Sequence, residues 1–257
     1  LLAGALALVA AWGAARLASH LHWFESAGAP EFGIAPLPTW LARIESRETD
    51  PGSGGKIGLE HPGTAVFDAC RGIGPLLLAR AAEIAGEKAR EVGVGLVRII
   101  NLDAGVSAAE AAAELAVGPM VAAVVGPRPS WTLAVPTSDG LPAVFDTDLA
   151  PEPVPAAPEW VGTLGPWLAT LAPPPGGWVV LALAVPAIES LTTFLEQATS
   201  RLRAAQAPGC LLPGPWAAHR QRVREHGIPL SRTTWAELGS WAGRFQVPLP
   251  EPLPAVS

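Results

Sequence analysis

The chain has 257 residues, a net charge of −6, 49% hydrophobic side chains and only 16% charged ones. This composition can build a large core, and it excludes disorder for most of the chain, because disorder needs low hydrophobicity and high net charge. Two cysteines, Cys70 and Cys210, are too few for a disulfide scaffold. The acidic balance argues against nucleic acid as a partner, since proteins that bind it usually carry a basic face.

The first fifteen residues are almost wholly apolar and raise the question of a membrane span or a signal peptide. Arg16 ends this run short of the ~20 apolar residues that a spanning helix needs, and no basic segment precedes it as in a signal peptide. We therefore expect a buried helix over 1–24, no membrane partner, and a cytoplasmic protein.

Hydrophobic periodicity and turn residues predict the next elements in chain order. Glycines and prolines end the first helix near Gly28, and a polar loop rich in glycine lies at 46–56. The predicted elements of this half are a short helix at 39–44, a strand at 64–69, an amphipathic helix at 76–92 and a buried strand at 93–100.

The second half continues the alternation of helices and strands. It is predicted to contain a helix at 107–117, strands at 119–125, 131–135, 142–146 and 178–185, and helices at 187–206 and 215–226. A last helix begins at Ser231, whose hydroxyl suits an N-cap. The order β-α-β-α-β indicates the α/β class. Residues 150–175 are rich in proline and are expected to be an irregular link.

The predicted elements group into three parts. Residues 1–48 form an N-terminal helical segment, 57–186 form an α/β core that includes the proline-rich link, and 187–247 form a C-terminal helical segment.

Familiar phosphate-binding motifs are absent from the sequence. The glycines at 52–56 lack the Walker pattern, because Asp50 and Ile57 stand where it needs glycine and a hydroxyl residue. The glycines at 92–97 lack the third glycine of the dinucleotide fingerprint, and they lead into a strand although that fingerprint must open a helix.

No metal site is predicted. His20 and His22 are two residues apart on a helix and so point in different directions. His219 and His226 can share a helix face, but no cysteine or carboxylate completes a tetrahedral set.

Four stretches together resemble the type 2 malate/L-lactate dehydrogenase family, which includes ureidoglycolate and sulfolactate dehydrogenases. Residues 28–44 resemble its segment G-H-D-S-H-G-V-x-R-L-P-x-Y, and 64–101 resemble a strand, a G-x-G helix and the strand E-K-A-R-x-x-G-V-G-L-V. Residues 133–150 are similar to A-A-P-T-x-D-G-x-P-x-V-x-D-x-A-x-S. Residues 210–238 are similar to the ending L-P-G…GIPL…W-x-E-L.

The resemblance implies an α/β fold of the non-Rossmann type, with a mixed-sheet core and flanking N- and C-terminal helices. It also implies NAD or NADP as cofactor, interconversion of 2-hydroxy and 2-oxo acids, and a homodimer. Members of the family use a histidine to transfer the hydroxyl proton and cationic groups to bind the substrate carboxylate.

The sequence departs from the family at these functional positions. Phe32 replaces the histidine before the glycine, Pro36 the arginine and Trp40 the tyrosine. The N-S-x-H motif is represented by Asn101 but ends in Ala104, and the later Gly-His-Lys-Gly segment has no counterpart. The resemblance therefore provides no catalytic residue. Loss of the proton-transferring histidine alone should cost ~10²–10⁴ in rate.

Three positions match family motifs and are carried as walls of a remnant cofactor site: Asn101, Pro129 and Asp146. Asp103 lies beside the lost histidine, and it is interpreted as the N-terminal cap of the helix at 107–117, with a replacement base as the alternative.

Three functions remain open. The first is a non-catalytic or impaired family member, a pseudoenzyme, that acts as a structural or regulatory subunit in a homodimer or beside an active paralogue. The second is an active oxidoreductase with a rebuilt site. The third is a small-molecule binding module whose pocket is lined by Phe32, Pro36 and Trp40.

Overall fold

The computed structural model describes residues 2–102, 105–127, 130–149, 177–204, 210–211 and 213–251, with the side chains of 2–12, 202–204 and 210 left aside. The helices are α1 Leu2–Ala27, α2 Leu37–Glu45, α3 Gly74–Val92, α4 Ala109–Val117, α5 Leu191–Ala204, α6 Pro213–His226 and α7 Arg232–Phe245. The strands are β1 Lys56–His61, β2 Thr64–Asp68, β3 Val94–Ile100, β4 Met120–Val125, β5 Trp131–Val135, β6 Ala143–Asp146, β7 Trp178–Ala184 and β8 Cys210–Leu211.

The described strands form one mixed sheet in the order β1-β2-β3-β7-β4-β5-β6-β8. β2 and β3 are parallel, whereas every other neighbouring pair is antiparallel. β7 lies between β3 and β4. Leu181 of β7, for example, is paired with Leu96 of β3 on one side and with Ala123 of β4 on the other. The α/β class and the mixed sheet expected from the sequence are confirmed.

The main core lies between the sheet and the layer of α1, α3 and α4. Alternate residues of β2 and β3, such as Phe67, Val97 and Ile99, face this layer and are almost fully buried. α3 lies so close to β3 that a Cβ on Gly95 would be 1.9 Å from the carbonyl oxygen of Ala85. Glycine is therefore required for this close contact between helix and sheet.

A second, smaller core lies on the opposite face of the sheet. Phe194 and Ala198 of α5 pack over β4, β5 and β6 against side chains such as Leu133 and Phe145. The hydroxyl of Thr199 is 3.0 Å from the backbone nitrogen and the hydroxyl of Ser138, which fixes α5 to the β5–β6 turn.

The C-terminal helices pack on the N-terminal ones. Trp216 of α6 is buried, and its ring meets that of Trp23 of α1 edge-on with the centroids 5.2 Å apart. α7 contacts α2, and no residue of either helix is buried. No helix in the described part of the chain is both long and apolar enough to cross a membrane.

Two edge strands were missed by the sequence interpretation. In β1 every residue is exposed, so the strand has no buried alternation. It is attached through Lys88 of α3, whose ammonium donates to Glu60 at 3.0 Å and to the carbonyl of His61 at 2.7 Å. β8 has two residues and pairs with β6. Residues 150–175, predicted to be an irregular link, lie outside the described residues, and the three-part division stays a prediction.

Candidate functional site

One edge of the sheet collects the ends of four strands. β2, β3, β4 and β6 run in the same direction and end there, and β5 and β7 begin there. In open α/β sheets, ligands bind in the crevice outside the carboxyl ends of the strands. Asn101 follows β3 and Asp146 ends β6, so both predicted cofactor positions are at this edge. Pro129 lies outside the described residues.

The Asn101 end of the edge is a hydrogen-bonded turn. The Asn101 amide donates to Oδ1 of Asp68 at 2.9 Å, and the backbone N–H of Cys70 donates to the same oxygen at 2.8 Å. These bonds, that of Asn101 first, hold the pKa of Asp68 below its usual range. Cys70, Arg71 and Asn101 all have positive φ, of 49°, 58° and 58°. Such strained backbone clusters at functional sites.

The Asp146 end is a buried carboxyl group. Its Oδ2 accepts the hydroxyl of Thr132 at 2.6 Å and that of Ser107 at 3.4 Å. Its Oδ1 accepts the backbone N–H groups of Asp148 at 2.7 Å and Leu149 at 3.2 Å. Burial outweighs these bonds and raises the pKa of Asp146 to about 6. The edge therefore contains a group that changes its protonation state just below neutral pH.

The structure does not bring Asn101 and Asp146 into contact. β7, β4 and β5 separate β3 from β6, a span of roughly 19 Å at ~4.8 Å per strand. The loop between β3 and α4 starts at Asn101 and reaches Asp146 through Ser107. Ala104, at the lost histidine position, and Asp103 beside it lie outside the described residues.

Aromatic rings occupy the neighbourhood of the other replaced family positions. Phe32 is half-buried, and its ring centroid is 5.6 Å from that of the fully buried Phe24. The ring of Trp40 is half-buried with its centroid 6.2 Å from that of His20. His20 also contacts Phe24 edge-on, with 4.9 Å between centroids. These side chains pack on one another as a single cluster between α1 and α2.

The turn that carries Phe32 is fixed by the Glu25 carboxylate of α1. Glu25 accepts the backbone N–H of Ile34 at 2.8 Å, and a Cβ on Gly33 would be 2.5 Å from Oε1 of Glu25. Burial raises the pKa of Glu25. The family glycine retained at 33 thus has a local reason: it leaves room for this carboxylate.

Sequence analysis missed a buried ionisable pair, His20 and Glu110. Nδ1 of His20 is hydrogen-bonded to Oε2 of Glu110, and the two residues are 4% and 3% exposed. Arg16 adds an ion pair 3.6 Å from Glu110 and a bidentate one with Glu114. A signal was present, because Arg16 and His20 on one apolar helix have the same four-residue spacing as Glu110 and Glu114 on another.

An orphaned donor lies at the middle of the strand-end edge. The indole N–H of Trp178, the first residue of β7, is buried and has no hydrogen-bond partner among the described residues. Its six-membered ring lies against Gly126 at the end of β4, where a Cβ would be 3.1 Å from two ring carbons. An unmatched N–H donor fits a ligand with acceptor oxygens, as nicotinamide nucleotides have.

The chain shares its mixed-sheet α/β fold with several dehydrogenases of known structure. Malate dehydrogenase from Entamoeba histolytica superposes with a TM-score of 0.79 and 15% identity, over 92% of each chain. Sulfolactate dehydrogenase from Methanocaldococcus jannaschii gives a TM-score of 0.73 and 15% identity, over 90% of each chain. At these identities the likeness concerns the fold.

The amino-acid sequence shows to which family the chain belongs. The malate/L-lactate dehydrogenase family model matches residues 7–147, and the chain belongs to this family. The L-sulfolactate dehydrogenase of M. jannaschii is 35% identical over 74 residues, which are 29% of this chain and 22% of that protein. The resemblance predicted from the sequence is confirmed.

Proposed function

We propose that this chain is a non-catalytic or strongly impaired member of the malate/L-lactate dehydrogenase family that acts as a structural or regulatory subunit. One observation carries the proposal: Phe32 and Trp40 stand at the positions of the family's histidine and tyrosine, and both belong to a ring cluster in which Phe32 contacts Phe24 and Trp40 contacts His20. The phenyl ring of Phe32 has no proton to transfer, and neither ring carries the positive charge that would hold a substrate carboxylate.

The replaced residues affect separate steps of dehydrogenase chemistry. Oxidation of a 2-hydroxy acid passes a hydride to the nicotinamide ring and the hydroxyl proton to a base. Phe32 and Ala104 supply no base, and Pro36 supplies no cation for the substrate carboxylate. Each charge-assisted hydrogen bond lost with that cation is worth ~1.5–3 kcal/mol, and general-base catalysis is worth ~10²–10⁴ in rate. Together these losses leave no efficient route for the reaction.

Binding of NAD or NADP to the strand-end edge is part of the proposal. Asn101 and Asp146 would lie on either side of the cofactor, and the orphaned indole of Trp178 lies between them along the sheet. In this proposal, the cofactor stabilises the subunit and is not consumed.

Association with a second copy, or with an active paralogue in the cytoplasm, follows from the subunit role. Large apolar side chains are exposed on β1, where Ile57 and Leu59 are 43% and 56% exposed, and around the end of α7, where Phe245 and Val247 are 56% and 58% exposed. Exposed apolar surface of this kind often marks an interface between proteins.

The experiment purifies the chain alone and co-expressed with an active paralogue. We expect an oligomer by light scattering, and no consumption of NADH or NADPH with a panel of 2-oxo acids. A matched variant restores F32H, P36R and W40Y together with A104H, and should gain turnover if the replacements cause the defect. A monomer that never co-purifies, or turnover by the unaltered chain, would contradict the proposal.

An active enzyme with a rebuilt site is the second candidate, and the pair of His20 and Glu110 favours it. A histidine bonded to a carboxylate is the usual constellation of a general base, and His20 contacts Trp40 at a replaced family position. In this alternative, His20 accepts the hydroxyl proton. Turnover that disappears in His20→Asn but survives in His22→Asn would establish it, because His22 lies on the same helix and is exposed.

A further inference from the structure

The indole N–H of Trp178 is a buried donor without an acceptor among the described residues. Trp178 is 2% exposed, and its Nε1 has no hydrogen-bond partner in the described part of the chain. Indole is a hydrogen-bond donor only. Rotating the side chain therefore cannot turn the N–H into an acceptor for a neighbouring donor. Buried polar groups in proteins are almost always paired, so an unpaired one needs a specific explanation.

The carboxylates of Asp68 and Asp146, at the two ends of the edge, do not supply that acceptor. Asp68 accepts from Asn101 and Cys70 at one end, and Asp146 accepts from Thr132 and two backbone N–H groups at the other. Register places Trp178 between them, opposite Ile99 of β3. The unmatched donor is therefore in the row of strand ends, where this class of sheet binds ligands.

Contacts with Gly126 position the Trp178 indole at the strand-end edge. Gly126 follows β4, and its backbone N–H donates to the carbonyl of Ser130 at 3.0 Å. A side chain at 126 would meet the Ser130 hydroxyl at 2.8 Å and the Trp178 ring at 3.1 Å. The glycine thus leaves space for the ring to lie across the end of β4.

We propose that the Trp178 indole N–H donates a hydrogen bond to an acceptor oxygen of a nicotinamide nucleotide bound at the strand-end edge. Such nucleotides carry phosphate, ribose and carboxamide oxygens, and a single buried N–H fixes one of them. The inference rests on the cofactor binding included in the proposed function. It adds that nucleotide recognition persists here independently of turnover and depends on a residue from a strand late in the chain.

A second orphaned indole provides the matched control. Trp216 of α6 is also buried, and its Nε1 has no partner among the described residues, but its ring packs against Trp23 of α1 and under the guanidinium of Arg220 and not against a strand end. Trp178→Phe and Trp216→Phe remove the same N–H and the same ring area. Only the first should affect the nucleotide.

The experiment titrates NADH and NADPH into the full chain by calorimetry and follows the indole N–H resonances by NMR. We expect W178F to bind about tenfold more weakly, or ~1.4 kcal/mol, with W216F unchanged. The resonance absent from W178F should move downfield on binding, whereas that absent from W216F stays in place. If W178F does not fold, Gly126→Ala displaces the ring and should show the same loss.

The outcomes separate this inference from the proposed function. Equal affinities for W178F and W216F overturn the inference alone. Absence of nucleotide binding overturns the inference together with the cofactor binding included in the proposed function, whereas the subunit role is then tested by turnover and co-purification. Turnover of 2-oxo acids by the unaltered chain overturns the proposed function, and selective weakening in W178F supports the inference in either case. A Trp178 resonance that does not respond to nucleotide shows that the N–H is met by water alone, and also refutes it.

Discussion

Asp146→Asn should stabilise the protein at neutral pH although it removes a charge at the candidate cofactor edge. The carboxyl of Asp146 has a pKa of about 6 in the folded chain, against 3.8 for an ordinary aspartate. This difference corresponds to roughly 3 kcal/mol. The pKa is raised, so the group's contribution to stability is complete below about pH 4, is lost as the pH rises to about 6, and stays lost above it.

The amide is the matched replacement because it is neutral throughout and keeps the hydrogen bonds. Its oxygen can still accept the N–H groups of Asp148 and Leu149, and its nitrogen can donate to the Thr132 hydroxyl, which then acts as an acceptor. The free energy of unfolding of the variant, minus that of the unaltered chain, should rise by up to ~3 kcal/mol between about pH 4 and pH 7.

The assay is urea unfolding at a series of pH values, with the midpoint and slope fitted for both proteins. Subtracting the two curves cancels the other carboxyl groups. Asp68→Asn is the control, because the pKa of Asp68 is lowered and its pH-dependent difference must have the opposite sign and lie below about pH 4. A difference curve for Asp146→Asn that is flat from pH 4 to 7 would refute the raised pKa and the burial argument behind it.

Three further predictions concern the fold around the site. Glu110→Ala should lower the free energy of unfolding by ~3 kcal/mol because it leaves the buried His20 without its partner. His20→Ala should cost less, because Arg16 still pairs with Glu110. The double variant should lose much less than the sum of the two, and additive losses in chemical denaturation would contradict direct pairing. Gly95→Ala should lower the free energy of unfolding by at least ~3 kcal/mol, because the added Cβ would overlap a backbone carbonyl of α3. The control, Gly214→Ala, adds a Cβ in open space and should leave stability nearly unchanged. Equal melting temperatures of the two variants would rule out the close contact. Ser231→Ala should destabilise α7 by ~1 kcal/mol, because the Ser231 hydroxyl accepts the N–H of Thr234 at 3.0 Å. Amide hydrogen exchange should become faster in α7 and stay the same in α6. Unchanged exchange in α7 would show that the cap contributes nothing to stability.

The elements closest to the core could be predicted from the sequence because their side chains alternate or repeat with the correct period. The helix predicted at 76–92 is Gly74–Val92, and the strand predicted at 93–100 is Val94–Ile100. Gly93 between them has φ +88° and donates its N–H to Ala89, as a helix-ending glycine does. The cap at Ser231 is confirmed in the same way.

What could not be predicted depends on contacts between distant residues. β1 has no alternation of buried and exposed positions, so only its pairing with β2 makes it a strand. The pair of His20 and Glu110 joins positions ninety residues apart, a separation at which spacing along the chain indicates no contact. Asp146 was identified by its motif, whereas its unusual titration follows from burial that a single sequence does not reveal.

The central place of β7 has a consequence for how the molecule folds. β3 and β4 both pair with β7, Trp178–Ala184. The ribosome must therefore synthesise the chain past residue 184 before the edges of β3 and β4 that face β7 can form hydrogen bonds. Pairings over such sequence separations slow folding, and unpaired edges invite association with other chains. A fragment that ends at residue 147, the limit of the family match, would divide the sheet at its centre and expose both edges. Such a fragment should aggregate, because the strand that joins its halves is encoded thirty residues further on.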